Sequence, residues 1–420
     1  MDKLRIEGGH RLSGELKLQG AKNSALPILA ATLLGEGVSV IHNCPDLTDV
    51  AAAVKILEYL GCKVFREGDT LTVDARQITE CTIPENLMRE MRSSIVFLGA
   101  MLSRTGKAKI CMPGGCELGP RPIDLHLEAL KKLGATITSD HGYLDCKVEK
   151  KLEGGKISLL FPSVGATENI LLACCMAKGR TVIHNAAQEP EIVDLASYLN
   201  SRGAKIRGAG KSRIVVDGVD HLDSTEHTVM PDRIVAATYL CAGAITGGEI
   251  LLKEVRPCDL ESIFPMFEKM GMRLRMTENE VYLKPPSDGK IHSVNAIRTM
   301  PHPGFPTDAQ APIMAVLSVA EGTSMFVENI FESRYKHAQE LNRMGADIKV
   351  EGRVAVCTGV ETLYGTEVQA EDLRGGAALV LAGLRADGIT QVDDVHHIDR
   401  GYESIEKVLG SLGANIKRMA

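Results

Sequence analysis

The sequence predicts an α/β protein built from six copies of one βαβαββ unit, three to a domain, and three observations carry that reading. At 420 residues the chain is long for one hydrophobic core, so two domains of roughly 200 residues are expected. A glycine signature recurs six times at near-constant spacing, and a second glycine precedes each copy and opens an alternating, strand-like stretch.

The first glycine closes a helical stretch and opens a strand: Leu60-Gly61-Cys62, Leu133-Gly134-Ala135, Arg202-Gly203-Ala204, Met270-Gly271-Met272, Met344-Gly345-Ala346 and Leu412-Gly413-Ala414. These glycines lie 68 to 74 residues apart. Glycine tolerates the positive φ of a helix C-terminus, so each is expected to end a helix. The second set is Gly37, Gly106, Gly179, Gly248, Gly322 and Gly388, followed by stretches such as Val38-Ser39-Val40-Ile41-His42. Three units make a domain, with the boundary near Met230-Pro231. No low-complexity linker marks the boundary, so the crossings are short.

Composition narrows the function classes. Hydrophobic residues at 44% and charged residues at 24% fit a soluble globular protein; with no Trp, aliphatic residues must fill the core. A net charge of -6 argues against a general nucleic-acid binder. The opening Met1-Asp2-Lys3-Leu4-Arg5 lacks a secretory apolar region, and no window reaches the ~18 apolar residues of a membrane span. Eleven scattered cysteines fit a reducing compartment, so a cytoplasmic location is expected. No His-Glu-x-x-His pattern appears, and Cys111 with Cys116 lacks a second pair, so neither metal nor cofactor is expected. Cys174-Cys175 sits in an apolar run and reads as packing. Gly210-Lys211-Ser212 ends like a phosphate loop, but Lys205 stands where that pattern needs glycine.

Each unit also places a polar residue before an apolar helical run: Lys22, Arg92, Ser163, Arg233, Asp308 and Arg374. A helix N-terminus carries positive partial charge and free N–H groups, so it favours anions and disfavours cations. Several cations at equivalent helix starts therefore point to a bound anion that offsets the clash. With the helices parallel, their starts converge on one face of each domain, and two opposed faces enclose an anion-binding cleft.

Residues 112–126 run Met-Pro-Gly-Gly-Cys-Glu-Leu-Gly-Pro-Arg-Pro-Ile-Asp-Leu-His, too rich in Gly and Pro for a regular element. This reads as a mobile loop with Cys116 exposed at its tip, Arg121 favouring the thiolate, and Pro122 opening the next helix.

These residues resemble the enolpyruvyl transferase family, and within it the members that act on UDP-N-acetylglucosamine at the first committed step of peptidoglycan synthesis. The resemblance covers the chain and rests on Gly20-Ala21-Lys22-Asn23, Met91-Arg92-Ser93-Ser94, Pro113-Gly114-Gly115-Cys116, Arg121-Pro122-Ile123-Asp124-Leu125-His126, Glu189-Pro190-Glu191, Pro231-Asp232-Arg233, Phe305-Pro306-Thr307-Asp308, Asp372-Leu373-Arg374 and His397-Ile398-Asp399-Arg400. It implies two inside-out α/β barrel domains, 21–230 and 1–20 plus 231–420, the first strand of the chain completing the second, with the active site in the cleft between them. It implies transfer of the enolpyruvyl group of phosphoenolpyruvate to a sugar 3′-hydroxyl by addition and elimination. Lys22, Asn23, Arg121, Arg374 and Arg400 then bind phosphoenolpyruvate. Arg92, Arg121, Pro122, Ile123, Asp124, Leu125, Ser163, Val164, Gly165, Asp308 and Ile330 bind the sugar nucleotide. Asp308 is implied as the general base, and Cys116 as the proton donor that can also form a covalent adduct. Lys22 and Arg400 belong with them as catalytic cations. Some relatives carry a lysine where Phe161 stands, so from that segment only Ser163 and backbone groups carry over.

Two other readings remain open at this stage. A sister enzyme acting on shikimate 3-phosphate shares the repeat, and a ring-shaped, clamp-like scaffold also uses six α/β units. The Cys116 loop and the 121–126 strip point away from the first, and the net charge from the second. No nucleic-acid or membrane partner is expected, and a monomer is favoured slightly.

Overall fold

All six signature glycines adopt left-handed φ, between 89° and 106°, each between a helix and a strand. The helix Lys336–Arg343, for example, ends before Gly345, and the strand Asp347–Glu351 comes directly after. A computed structural model describes residues 2–111 and 123–419, with Arg92 and Asp140 described by backbone alone.

The strands form six four-stranded sheets of one design. In the sheet holding Thr323–Val327, the edge strand Ala296–Arg298 runs parallel to it. Val354–Thr358 pairs antiparallel on its other side, and Asp347–Glu351 closes the sheet antiparallel to that. Inward residues alternate with outward ones, as a sheet with one wet face requires.

Three sheets draw a strand from a remote part of the chain. Thr225–Thr228 lies parallel to Val38–His42, and Ser13–Lys17 lies parallel to Glu249–Lys253. Lys3–Glu7 runs antiparallel between Ile389–Asp393 and Asn415–Met419, with Leu4 opposite Val392 and Ile6 opposite Ile416. This exchange accounts for two of the second set of glycines. Gly106, Gly179, Gly322 and Gly388 have φ of 70° to 103°, whereas Gly37 and Gly248 do not need positive φ. These two sit where the remote strands arrive: a Cβ on Gly37 would lie 2.8 Å from Ser224 Oγ, and one on Gly248 would collide with the Leu12 carbonyl oxygen.

Contacts divide the chain into two units: the described residues of Gly20–Cys116 and Arg121–Met230 (the first), and those of Met1–Gln19 and Pro231–Ala420 (the second). Each is inside-out, with sheets outside and its most buried helices packed on one another. In the second unit these are Arg233–Thr246, Gln310–Leu317 and Leu373–Arg385; every residue of the first two is buried. In the first unit they are Lys22–Ala31, Phe97–Thr105 and Val164–Cys174. Helices apolar on most sides suit a central position. Each unit has its own aliphatic core.

Cys174 and Cys175 are buried as expected, and burial pushes the Cys174 thiol up to about 12, which leaves it inert. The helix expected to open at Pro122 begins instead at Asp124, with Ile123 as its N-cap. An acidic residue in that first turn suits the helix dipole.

Candidate active site

Every one of the six polar residues picked out by the repeat stands at a helix start. Lys22 is the first residue of Lys22–Ala31, a helix with no side-chain cap. It is buried at 8% exposure, and its Nζ lies 3.0 Å from Asp49 Oδ2. A cation here opposes the helix dipole, and Asp49 offsets part of that cost. Asn23, half-buried, comes next. Ser24 then ties the helix down, its hydroxyl donating to Asp194 at 2.5 Å, while Met230 N–H donates to the same Asp194 oxygen at 3.1 Å.

Arg92 opens a 3-10 turn, Arg92–Val96; its side chain, like Cys116, Arg121 and Pro122, lies outside the described residues. Ser163 caps Val164–Cys174, its Oγ accepting from Ala166 N–H at 3.3 Å. Val164 and Gly165 are half-buried in the first turn, and their N–H groups make no hydrogen bond among the described residues. Ahead of them Leu160 is 90% exposed and Phe161 43%.

The strip Ile123, Asp124, Leu125 leads into His126, which is buried against this same turn. Gly99 N–H donates to Asn169 Oδ1 at 2.6 Å, so the Asn169 amide must donate with Nδ2. That nitrogen reaches the Ile95 carbonyl at 2.8 Å and His126 Nδ1 at 3.0 Å. His126 therefore accepts at Nδ1 and carries its proton on Nε2, and burial pushes its pKa down to about 4. A Cβ on Gly165 would sit 3.2 Å from the His126 ring, which explains glycine there. Glu168, one turn along, is pushed up to about 8 by burial and then by Glu191 and Glu189.

In the second unit Asp308 lies in the 3-10 turn Thr307–Ala309, ahead of Gln310–Leu317. Its Oδ1 accepts from Arg334 Nη2 at 2.9 Å, and its Oδ2 lies 3.7 Å from Arg374 Nη2. Arg374 is 2% exposed, and its Nε and Nη1 have no partner among the described residues. Burial works against its charge, but Tyr402, Asp308 and Asp232 hold the guanidinium protonated. The guanidinium carbon sits 5.3 Å from the centre of the Tyr402 ring. Two buried donors on a fixed cation are suited to an anionic ligand.

Glu328 organises the neighbouring loop. It accepts from Thr307 Oγ1 at 2.9 Å and from the N–H groups of Ile330 and Phe331 at 2.8 and 3.0 Å. Ile330 is thereby held near the Asp308 turn. Arg400, half-buried, ends the 3-10 turn Val395–Arg400. Gln19 pins the backbone just beyond it, donating to the Gly401 carbonyl at 3.2 Å and accepting from Glu403 N–H at 2.9 Å. Arg418 braces Asp399 on the other side, at 2.6 and 2.9 Å.

The structure thus brings Asp308 and Arg374 together in the second unit, and sets Lys22, Ser163 and the 123–126 strip on helix starts of the first. Sequence reasoning missed Asp49, Asn169, Glu328 and Arg334. Their only signal is polarity: Asp49, Glu328 and Arg334 lie in stretches that read as solvated, and Asn169 interrupts an apolar run. Among the described residues no His/Cys/Asp/Glu group could hold a metal ion, and no helix is long and apolar enough to cross a membrane.

Comparison with known proteins adds a family. The model for EPSP synthase (3-phosphoshikimate 1-carboxyvinyltransferase) matches residues 6–409. UDP-N-acetylglucosamine 1-carboxyvinyltransferase 2 of Caldanaerobacter subterraneus is 55% identical over 419 residues, covering all of both chains. UDP-N-acetylglucosamine 1-carboxyvinyltransferase 1 of Symbiobacterium thermophilum is 50% identical, covering 99% of this chain and 94% of its own. Among solved structures, the enolpyruvyl transferase NikO of Streptomyces tendae superposes with a TM-score of 0.91 at 27% identity, covering 100% of this chain and 99% of that one. EPSP synthase of Acinetobacter baumannii superposes at 0.76 and 17% identity, with both chains covered completely; that likeness is one of fold.

Proposed function

The chain belongs to the UDP-N-acetylglucosamine 1-carboxyvinyltransferases, within the wider family of the EPSP synthase model, and from that premise we propose how it works. It transfers the enolpyruvyl group of phosphoenolpyruvate to the 3′-hydroxyl of UDP-N-acetylglucosamine and releases phosphate. The full-length likeness at 55% identity carries the choice of acceptor. The buried, incompletely partnered Arg374 beside Asp308 supports an anionic co-substrate.

Asp308 takes the hydroxyl proton as the oxygen bonds to C2, and Cys116 delivers a proton to C3. The resulting ketal then loses phosphate as a C3 proton leaves. Lys22, Asn23, Arg121, Arg374 and Arg400 hold the phosphate and carboxylate, and stabilise charge as it develops. Arg92, the strip Arg121 to Leu125, Ser163 to Gly165, Asp308 and Ile330 hold the sugar nucleotide. The enzyme works in the cytoplasm at the first committed step of peptidoglycan synthesis.

Phosphate release measured with UDP-N-acetylglucosamine and with shikimate 3-phosphate tests the acceptor. Turnover with the first alone is expected; turnover with the second alone makes this the sister enzyme, and turnover with neither favours a scaffold. For Cys116, Cys116→Asp should retain turnover and Cys116→Ser should lose most of it, since the role requires an acidic proton. An inactive, folded Cys116→Asp that binds both substrates makes the covalent adduct obligatory.

A further inference from the structure

We propose that Arg334 is the positioning residue that sets both the orientation and the ionisation of Asp308. The inference rests on the reading of Asp308 as the general base. Arg334 lies between the strand Thr323–Val327 and the helix Lys336–Arg343, at a position to which the family resemblance gave no role. It is 3% exposed, as rare for an arginine as for any charged side chain. Its Nη2 donates to Asp308 Oδ1 at 2.9 Å and reaches the Thr307 carbonyl at 3.4 Å, with the Phe331 ring 5.5 Å from the guanidinium carbon.

The two arginines flanking Asp308 are unequal. Arg334 is within hydrogen-bond distance of Oδ1, whereas Arg374 stands at 3.7 Å from Oδ2, beyond it. A charge-assisted bond to Oδ1 restrains the rotation of the carboxylate. Asp308 takes the hydroxyl proton while the hydroxyl oxygen bonds to C2. When Arg374 engages the anionic co-substrate, its pull on Oδ2 weakens, while the bond from Arg334 continues to aim the carboxylate and favour its charged form.

The charged and titratable surroundings support this division. Glu328 joins the Asp308 turn to the Arg334 segment through Thr307 Oγ1 and the backbone of Ile330 and Phe331. His337 lies on the next helix, buried, neither ring nitrogen bonded among the described residues; burial pushes its pKa down, against Asp372, so it cannot replace the charge of Arg334. Tyr402 and Asp232 act on Arg374.

The test is the pH profile of kcat for Arg334→Met, Arg334→Lys and Asp308→Asn, with the dissociation constant for UDP-N-acetylglucosamine measured on each. Arg334→Met should lower kcat about 100-fold and leave nucleotide affinity within about threefold. Its acidic limb should move about one unit to higher pH, because losing the cation makes the carboxylate easier to protonate. Arg334→Lys keeps charge without the fork; it should recover roughly tenfold of the loss and place the limb between the other two. Wild-type turnover in Arg334→Met overturns the assignment. So does a lost turnover with an unmoved limb, or affinity that falls in step with kcat. Should Arg334→Met fail to fold, Arg334→Lys decides alone: a displaced limb supports the proposal, and an unmoved one overturns it. Asp308→Asn separates the two levels of the argument. Full turnover there removes Asp308 as the base, whereas an inactive Asp308→Asn beside an unmoved Arg334 limb defeats the positioning role only.

Discussion

The two units share one repeat but treat their central helix starts differently. In the second unit two of the three helices begin on an aspartate. Asp232 accepts from the N–H groups of Ile234 and Val235 at 2.8 and 3.0 Å, and Asp372 from those of Arg374 and Gly375 at 3.0 Å. In the first unit Lys22–Ala31 and the Arg92–Val96 turn have no side-chain cap, and Val164–Cys174 has a neutral hydroxyl, Ser163. An aspartate cap fills a helix end with the protein's own negative charge; a serine satisfies one N–H and leaves the dipole available. One unit therefore keeps helix ends open to an outside anion. The other closes two of its three and passes its polar chemistry to the side chains of Asp308, Arg334 and Arg374.

The harshest way to break this contrast is Lys22→Ala. Removing a charge-assisted anchor should cost about 2–4 kcal/mol in kcat/KM for phosphoenolpyruvate, with the nucleotide dissociation constant little changed. An unaltered specificity constant would remove the first unit's part in anion binding.

A pH series probes the units through their buried groups. Glu168 in the first unit is raised to about 8, so it stays protonated in the fold while the unfolded chain ionises near 4.5. Its contribution is full below the unfolded pKa and is lost as pH rises from there to about 8. Glu168→Gln should abolish that loss and be more stable than wild type at pH 8, by on the order of 2 kcal/mol. His126 and His337, one in each unit, run the opposite way. Lowered by burial, they cost stability as pH falls from about 6.5 towards 4. Urea melts across pH should show alkali separating the variant from wild type, and acid weakening both.

Ser163→Asp sharpens the comparison directly, by giving a first-unit helix the cap of the second. It should preserve stability yet weaken nucleotide binding about tenfold, since the new carboxylate occupies the end an anion needs. Unchanged affinity by calorimetry would mean that this helix end binds nothing. The reciprocal Asp232→Ala should cost about 1 kcal/mol in denaturant unfolding, the ordinary value of a lost cap.

The parts of the fold legible in the sequence are those that one residue type must supply. Left-handed helix ends demand glycine, so Gly61, Gly134, Gly203, Gly271, Gly345 and Gly413 announced the repeat. Helix starts were legible too, because a polar residue before an unbroken apolar run marks the point where a buried helix meets solvent or ligand. Strand exchange was not legible from the repeat. Thr225–Thr228 has no pattern that names Val38–His42 as its neighbour, since ladder bonds are made by backbone common to all residues. In the site, Lys22, Asp308 and Arg374 stood out at equivalent positions, but Arg334 did not. An arginine between Ser333 and Tyr335 reads as solvated, and only tertiary packing reveals its burial against Asp308.

The strand Lys3–Glu7 carries a consequence for biosynthesis. It leaves the ribosome long before its partners Ile389–Asp393 and Asn415–Met419 are made. Every sheet of the first unit is drawn from residues 38–228, so that unit can complete its pairing while the rest is still being translated. The second cannot. The strand Lys3–Glu7 must wait, with bare N–H and C=O groups, until both partners have been made, and a nascent chain halted before residue 415 would expose that edge to any neighbour able to add a strand.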